Sequence, residues 1–149
     1  MIDIRRADPA AAEFLPLHEA REAYAASLYP AESNHLFDPN AMKAPQMHFF
    51  GVWTDGRIAG CGGFWAHEDY AEIKSMWIEP TARGLKLGQR LLAHIEQEVR
   101  NRGLAVARLE TGISQPEALG LYEKAGYRRI APFGDYRFDP LSVFMEKVL

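Results

Sequence analysis

Apolar and polar positions along this chain change period several times, and each change marks an element. "IDIRRA" alternates, with Ile2 and Ile4 on one face, which predicts a short opening strand. Asp8-Pro9 offers a helix entry. The alanine-rich run that follows to Leu28 carries Phe14, Leu17 and Leu28 on an apolar face. "YPAESNHLFDPNAMKAPQ" is a polar connector punctuated by proline, with a short helix expected from Asn40 to Lys43. "HFFGVWTDGRIAGCGGFWAHEDYAEIKSMWIEP" reads as three consecutive strands. Asp55-Gly56 predicts a tight hairpin between the first two, and His67 to Asp69 a softer turn before the third. Pro80 ends the third strand because it has no N–H for the ladder.

The period then becomes helical: Leu87, Leu91, Leu92, Ile95 and Val99 share one face, and Gly103 stops the helix. "AVARLETG" is the next strand and "SQPEALGLYEKAG" the next helix. Ser114 and Glu117 are expected to form a capping box there, with Pro116 in the first turn and Gly126 as the stop. "YRRI" and "LSVFMEKV" are two closing strands joined by "APFGDYRFDP". This order predicts an α/β (α+β) sandwich, a mixed sheet with helices on its faces.

The chain of 149 residues suits one domain, residues 1–149, with no linker, repeat or low-complexity tract. Its net charge of -3 argues against a nucleic-acid partner. Basic residues cluster only locally, at Arg83, Lys86 and Arg90, which suits a small anionic ligand. The single cysteine, Cys61, excludes an internal disulfide framework, and no His/Asp/Glu spacing suggests a metal. "MIDIRRADP" is charged where a signal peptide would be apolar, and no run is long enough to span a bilayer. A cytoplasmic protein without a membrane partner is expected.

The loop Arg83-Gly84-Leu85-Lys86-Leu87-Gly88, with Gln89 after it, lies between a strand and a helix. Free amides and partial positive charge at a helix start make a phosphate site, and a nearby glycine lets a ligand approach the backbone. An ordinary strand-to-helix turn with solvated charges reads the same way. The nucleotide P-loop ending and the dinucleotide glycine spacing are both absent.

Four segments, "EIKSMWIEP", "RGLKLG", "QRLLAHIEQEV" and "ALGLYEKAGYRRI", together with the element order over nearly the whole chain, resemble the GNAT superfamily of acyl-CoA-dependent N-acyltransferases. "YPAESNHLFD" and "FGDYRFDPLSVFMEK" are similar to a bacterial subset of it. The family loop usually reads Arg-Gly-x-Gly-x-Gly/Ala, and here Lys86 replaces the middle glycine. The resemblance implies a twisted, mostly antiparallel sheet of seven strands, with the fourth and fifth splayed apart by a bulge in the fourth. It implies acetyl-CoA as acyl donor, its pyrophosphate on the amides of residues 83–89 and its pantetheine arm along Met76, Trp77 and Ile78.

The resemblance also implies roles at the thioester. Tyr122, in "LYEKAG", is the candidate acid for the departing thiolate, although it could equally be a packing residue. Glu72 is the candidate base, with a pKa expected to be raised by burial; a cross-strand ion pair is its other reading. His67, His35 and His48 are weaker alternatives, and His18 and His94 read as helix-surface residues. Cys61 reads as small and buried. The acceptor pocket falls to Ser33, His35, Lys74, Asp135, Tyr136 and Arg137. Arg137 and Lys74 are suited to a substrate carboxylate and Asp135 to an ammonium. An amino acid, a polyamine, an aminoglycoside and a protein N-terminus all remain open as acceptor, as does a non-catalytic CoA-binding module. Trp53, Trp65, Trp77 and the late strands could supply apolar surface for a homodimer.

Overall fold

A computed structural model describes residues 1–33 and 41–149. Seven strands form one sheet: β1 Ile2–Arg6, β2 Met47–Thr54, β3 Arg57–Ala66, β4 Ala71–Ile78, β5 Val106–Gly112, β6 Arg128–Ile130 and β7 Ser142–Val148. Their order is β1-β2-β3-β4-β5-β7-β6. Every neighbouring pair is antiparallel except β4 and β5, which run parallel. The helices are α1 Leu15–Leu28, α2 Leu87–Asn101 and α3 Pro116–Lys124. Helix α2 makes the parallel crossover, as parallel neighbours require.

Local chemistry explains most boundaries. Asp55 and Gly56 both take positive φ, 49° and 81°, as the two-residue hairpin between β2 and β3 demands. Helices α2 and α3 end alike. Gly103 N–H bonds the Arg100 carbonyl and Leu104 N–H the Val99 carbonyl; Gly126 and Tyr127 repeat this on Glu123 and Tyr122. The second of these motifs fixes Tyr122 in the last turn of α3.

Two sequence expectations at helix starts are corrected. Helix α1 begins at Leu15 rather than at Asp8-Pro9, because a 3-10 turn over Ala12–Phe14 precedes it and the Asp8 carboxylate bonds the Ala10 N–H. The Ser114–Glu117 capping box does not form. Gln115 occupies the cap of α3, the Ser114 N–H donates to the Tyr29 hydroxyl, and Glu117 accepts from Tyr24. Tyr24 of α1 and Tyr29 just after it take both groups away from the cap.

Apolar side chains fill both faces of the sheet. The larger cluster packs Leu87, Leu91, Leu92, Ile95 and Val99 of α2 against Phe50, Phe64, Ile73 and Leu109, with Tyr122 and Tyr127 included. The opposite face carries Phe14, Leu17, Phe49, Trp53 and Cys61, with Trp65 and Trp77 packed on them. Trp53 is buried in this cluster, and Trp65 and Trp77 are half-buried against it. His18 is buried as well, not on a helix surface, and His94 is half-buried with its ring edge-on to Phe50.

His48 is buried on β2, stacked on Phe64, with Nδ1 3.0 Å from the Arg6 guanidinium. Burial first, then the charges of Arg102 and Arg6, lower its pKa from 6.5 to about 4; Glu98 opposes them. The unfolded chain therefore takes up this proton more readily than the folded one. The stabilisation is complete above pH 6.5 and is lost as pH falls toward 4. Between pH 7 and 5 the loss should be about 2 kcal/mol. In urea titrations, His48→Gln should flatten the stability profile over that interval; an unchanged profile would show that His48 does not set it.

Candidate active site

Strands β4 and β5 pair only at Ala71–Ala107 and Glu72–Arg108. Beyond those pairs they part. The cause lies on the other side of β4, where pairing with β3 slips between Cys61 and Gly63: two β4 residues, Ser75 and Met76, stand against Gly62 alone. Ser75 takes φ 63°, and a side chain at Gly62 would meet the Met76 sulfur at 2.4 Å. This is the bulge expected in the fourth strand; it turns β4 away, so that its ladder with β5 ends at Glu72–Arg108.

The wedge opens into a cavity of about 600 Å³. One end is the start of α2. Lys86 is the cap residue in the left-handed region (φ 57°, ψ 30°), so it holds the path a glycine would take. The first main-chain bond of the helix runs from Arg90 N–H to the Lys86 carbonyl, leaving the amides of Leu87, Gly88 and Gln89 without partners in the helix. Gly84 is also left-handed, at φ 99°. Arg83 bonds the Ile78 carbonyl and lies over the Trp77 ring. These groups suit a diphosphate.

Of the residues expected at a site, Ser33, Glu72, Lys74, Met76, Trp77, Ile78, Arg83, Gly84, Lys86, Leu87, Gly88, Gln89, Tyr122 and Tyr136 all line this cavity. Leu85 does not line it, and its side chain is exposed. Asp135 and Arg137 are exposed and do not line it either, because the β6–β7 loop turns Tyr136 between them inward and leaves both its neighbours facing out. His35 lies outside the described residues. Among the described residues, no three His, Cys, Asp or Glu side chains group to hold a metal ion.

Tyr122 is buried in the wall formed by α3, and burial, with the charge of Glu110, raises its pKa far above that of a free phenol. It keeps its proton until a strong base arrives. Glu72 is only 5% exposed. It accepts from the Tyr136 hydroxyl at 2.6 Å, meets Lys74 Nζ at 3.1 Å and lies 3.0 Å from His67 Nε2. Burial would raise its pKa, as expected from the sequence. The Lys74 charge and the three hydrogen bonds outweigh that and hold the carboxyl below the usual value. The expectation of a raised pKa is therefore corrected: Glu72 stands ionised. Cys61 is fully buried beside the Ser75 carbonyl with its pKa raised to about 12 by burial, so it is no nucleophile.

The sequence reading missed Arg21, Tyr29, Glu110 and Ser142, which also line the cavity. It also set His67 too low, since His67 touches Glu72 directly. Arg21 left a signal: it lies seven residues after Phe14, a cation on the face predicted to be apolar.

A model of the Acetyltransferase (GNAT) family matches residues 14–127. The chain belongs to that family. It is 42% identical over 150 residues to an IAA acetyltransferase of Azospirillum brasilense, covering 99% of this chain and 98% of the relative. Among solved structures, one assigned as an acyl-CoA N-acyltransferase from Klebsiella pneumoniae superimposes with a TM-score of 0.85 at 36% identity, covering 100% of this chain and 98% of that one. A PaiA N-acetyltransferase from Thermoplasma acidophilum, in complex with coenzyme A, shares the fold at a TM-score of 0.77 and 19% identity, covering 100% and 99%. The chain is thus an acyltransferase of GNAT fold. Among the described residues, no helix is long and apolar enough to cross a membrane.

The network around Glu72 can be tested by itself. Tyr136→Phe and Lys74→Met should each raise the Glu72 pKa, read from its carboxyl carbon by NMR. No movement in either variant would show that the carboxyl is held down by other means.

Proposed function

We propose that this protein transfers the acetyl group of acetyl-CoA directly to the primary amine of a small molecule, with both substrates bound at once. The observation that carries this reading is one continuous cavity. It runs from the amides at the start of α2, along the free edge of β4, to Tyr122 and Glu72. The acetyltransferase relative that matches the chain nearly end to end supports the same reading.

In the proposed reaction the diphosphate of acetyl-CoA rests on the α2 amides, beside Arg83 and Lys86. The pantetheine arm pairs with the free edge of Met76 to Ile78 and aims the thioester at the bulge. The acceptor enters from the Glu72 side. Its ammonium meets the ionised carboxylate, and its proton leaves through Glu72, His67 beside it and water. The amine lone pair attacks the carbonyl carbon and forms the C–N bond. A β4 amide near Met76 holds the developing oxyanion. As the C–S bond breaks, the sulfur takes the Tyr122 proton, the nitrogen gives up its second proton to solvent, and solvent restores the Tyr122 hydroxyl. No acyl-enzyme is needed, because holding both substrates together removes much of the entropic barrier.

Acetyl-CoA at millimolar concentration should raise the melting temperature by ordinary linkage. Tyr122→Phe should lower kcat by about 10- to 100-fold with acetyl-CoA affinity nearly unchanged. Full turnover in that variant, with chemistry rate-limiting, would remove Tyr122 from the acid role. A panel of amines with a free-thiol readout separates an enzyme from a non-catalytic CoA-binding module: thiol release above background identifies the enzyme.

A further inference from the structure

Four buried side-chain polar atoms lack a hydrogen-bond partner among the described residues: Arg21 Nη2, Ser75 Oγ, Trp77 Nε1 and His48 Nε2. The first three belong to residues lining the cavity; His48 is remote. All three can donate, and an unpartnered buried donor is costly, most of all on a cation. They stand at the β4 bulge and on the face of α1 turned toward it.

Among the described residues, the hydrogen bonds that hold Arg21 there go to neutral groups. Its Nη1 donates to His18 Nδ1 at 3.1 Å and to the Ser75 carbonyl at 3.4 Å. Because Nδ1 accepts, the His18 proton sits on Nε2, which donates to the Pro9 carbonyl at 2.9 Å. Burial, the chief cause, pulls the pKa of both side chains down. No carboxylate among the described residues lies within ion-pair distance of Arg21. Among the described residues, the guanidinium is therefore a positioned cation that lines the cavity with no anion at ion-pair distance. Its bond to the Ser75 carbonyl places it a few ångströms from the bulge, where the thioester would sit.

We propose that Arg21 binds an anionic group of the acceptor, so that the substrate is a small zwitterion with its amine a few bonds from a carboxylate or phosphonate. This rests on the acetyl-transfer reading above and narrows its substrate class. Fork-shaped pairing of guanidinium with a two-oxygen anion satisfies donors that are now orphaned, and the Ser75 hydroxyl adds another. The amine then points at the thioester while its ammonium form meets Glu72. A peptide N-terminus lacks the neighbouring anion, since its carboxyl has become an amide. This arrangement moves to Arg21 the role that Arg137, exposed and outside the cavity, was expected to fill.

The test pairs each of several α- and β-amino acids with its own amide, adds aminomethylphosphonate, 2-aminoethylphosphonate and a short peptide, and reads thiol release. The wild type should favour the anionic member of each pair by about tenfold or more in kcat/KM. Carboxylate against phosphonate identifies the anion. Arg21→Gln should erase the preference, chiefly through KM, and Arg21→Lys should keep part of it, with acetyl-CoA affinity and melting temperature showing that both variants are folded. Equal use of acids and amides by the wild type, preference for the peptide, or an intact preference in Arg21→Gln overturns the proposal. A second arm needs no turnover: calorimetry of N-acetylglycine and N-acetyl-β-alanine on the CoA-loaded protein. Binding that weakens at least tenfold in Arg21→Gln supports the anion site even if every amine is inert, an outcome that would sink only the acetyl-transfer reading. No binding of either acid by the wild type overturns the site itself.

Discussion

Two strands of this sheet stop pairing after two residues, and the site depends on that interruption. A parallel pair carried to its end would close the wedge and cover the β4 edge. The bulge at Ser75 and Met76 prevents this. It sets Ser75 in a left-handed backbone and requires Gly62 opposite, where any side chain would strike the Met76 sulfur. The cost of the irregularity is local, while the apolar clusters on both faces hold the rest of the sheet. From the same wedge follow the exposed β4 amides, the access of Tyr122 to the cavity and the contact of Arg21 with the Ser75 carbonyl.

Electrostatics divides the cavity into regions. At the α2 end, free amides, Arg83 and Lys86 favour negative charge. At the other end Glu72 is ionised in spite of its burial, since Lys74, Tyr136 and His67 all favour the charged form. Between them the phenol of Tyr122 stays protonated. Acid and carboxylate thus hold opposite protonation states in one enclosure, an arrangement general acid–base chemistry uses.

Elements set by short-range chemistry were legible in the sequence: the Asp55-Gly56 hairpin, the glycine stops of α2 and α3, the apolar stripe of α2. So was the strand-to-helix loop at residues 83–89, because its residues are contiguous, and all but Leu85 line the cavity. What failed depended on contacts distant in the chain. Ser114 and Glu117 have the spacing of a capping box, but Tyr29 and Tyr24, some ninety positions earlier, claim them. Asp135 and Arg137 have suitable chemistry on a loop whose turn faces them outward. Arg21 belongs to no motif, and its place at the bulge comes from the packing of α1 against β4, fifty-four positions on. The direction of the Glu72 pKa could not be had from burial alone, since it is decided by partners two, five and sixty-four residues away.

Lys86 shows a different kind of economy. Left-handed backbone costs a non-glycine residue about 1–2 kcal/mol, and the loop accepts it where relatives of this family usually have glycine. A glycine there would leave the free chain more ways to wander, so part of the ordering needed at the proposed diphosphate site would fall on the moment of association. With lysine, that ordering is completed when the helix forms. The substitution gives a stiffer cradle that carries its own positive charge, at the expense of some fold stability.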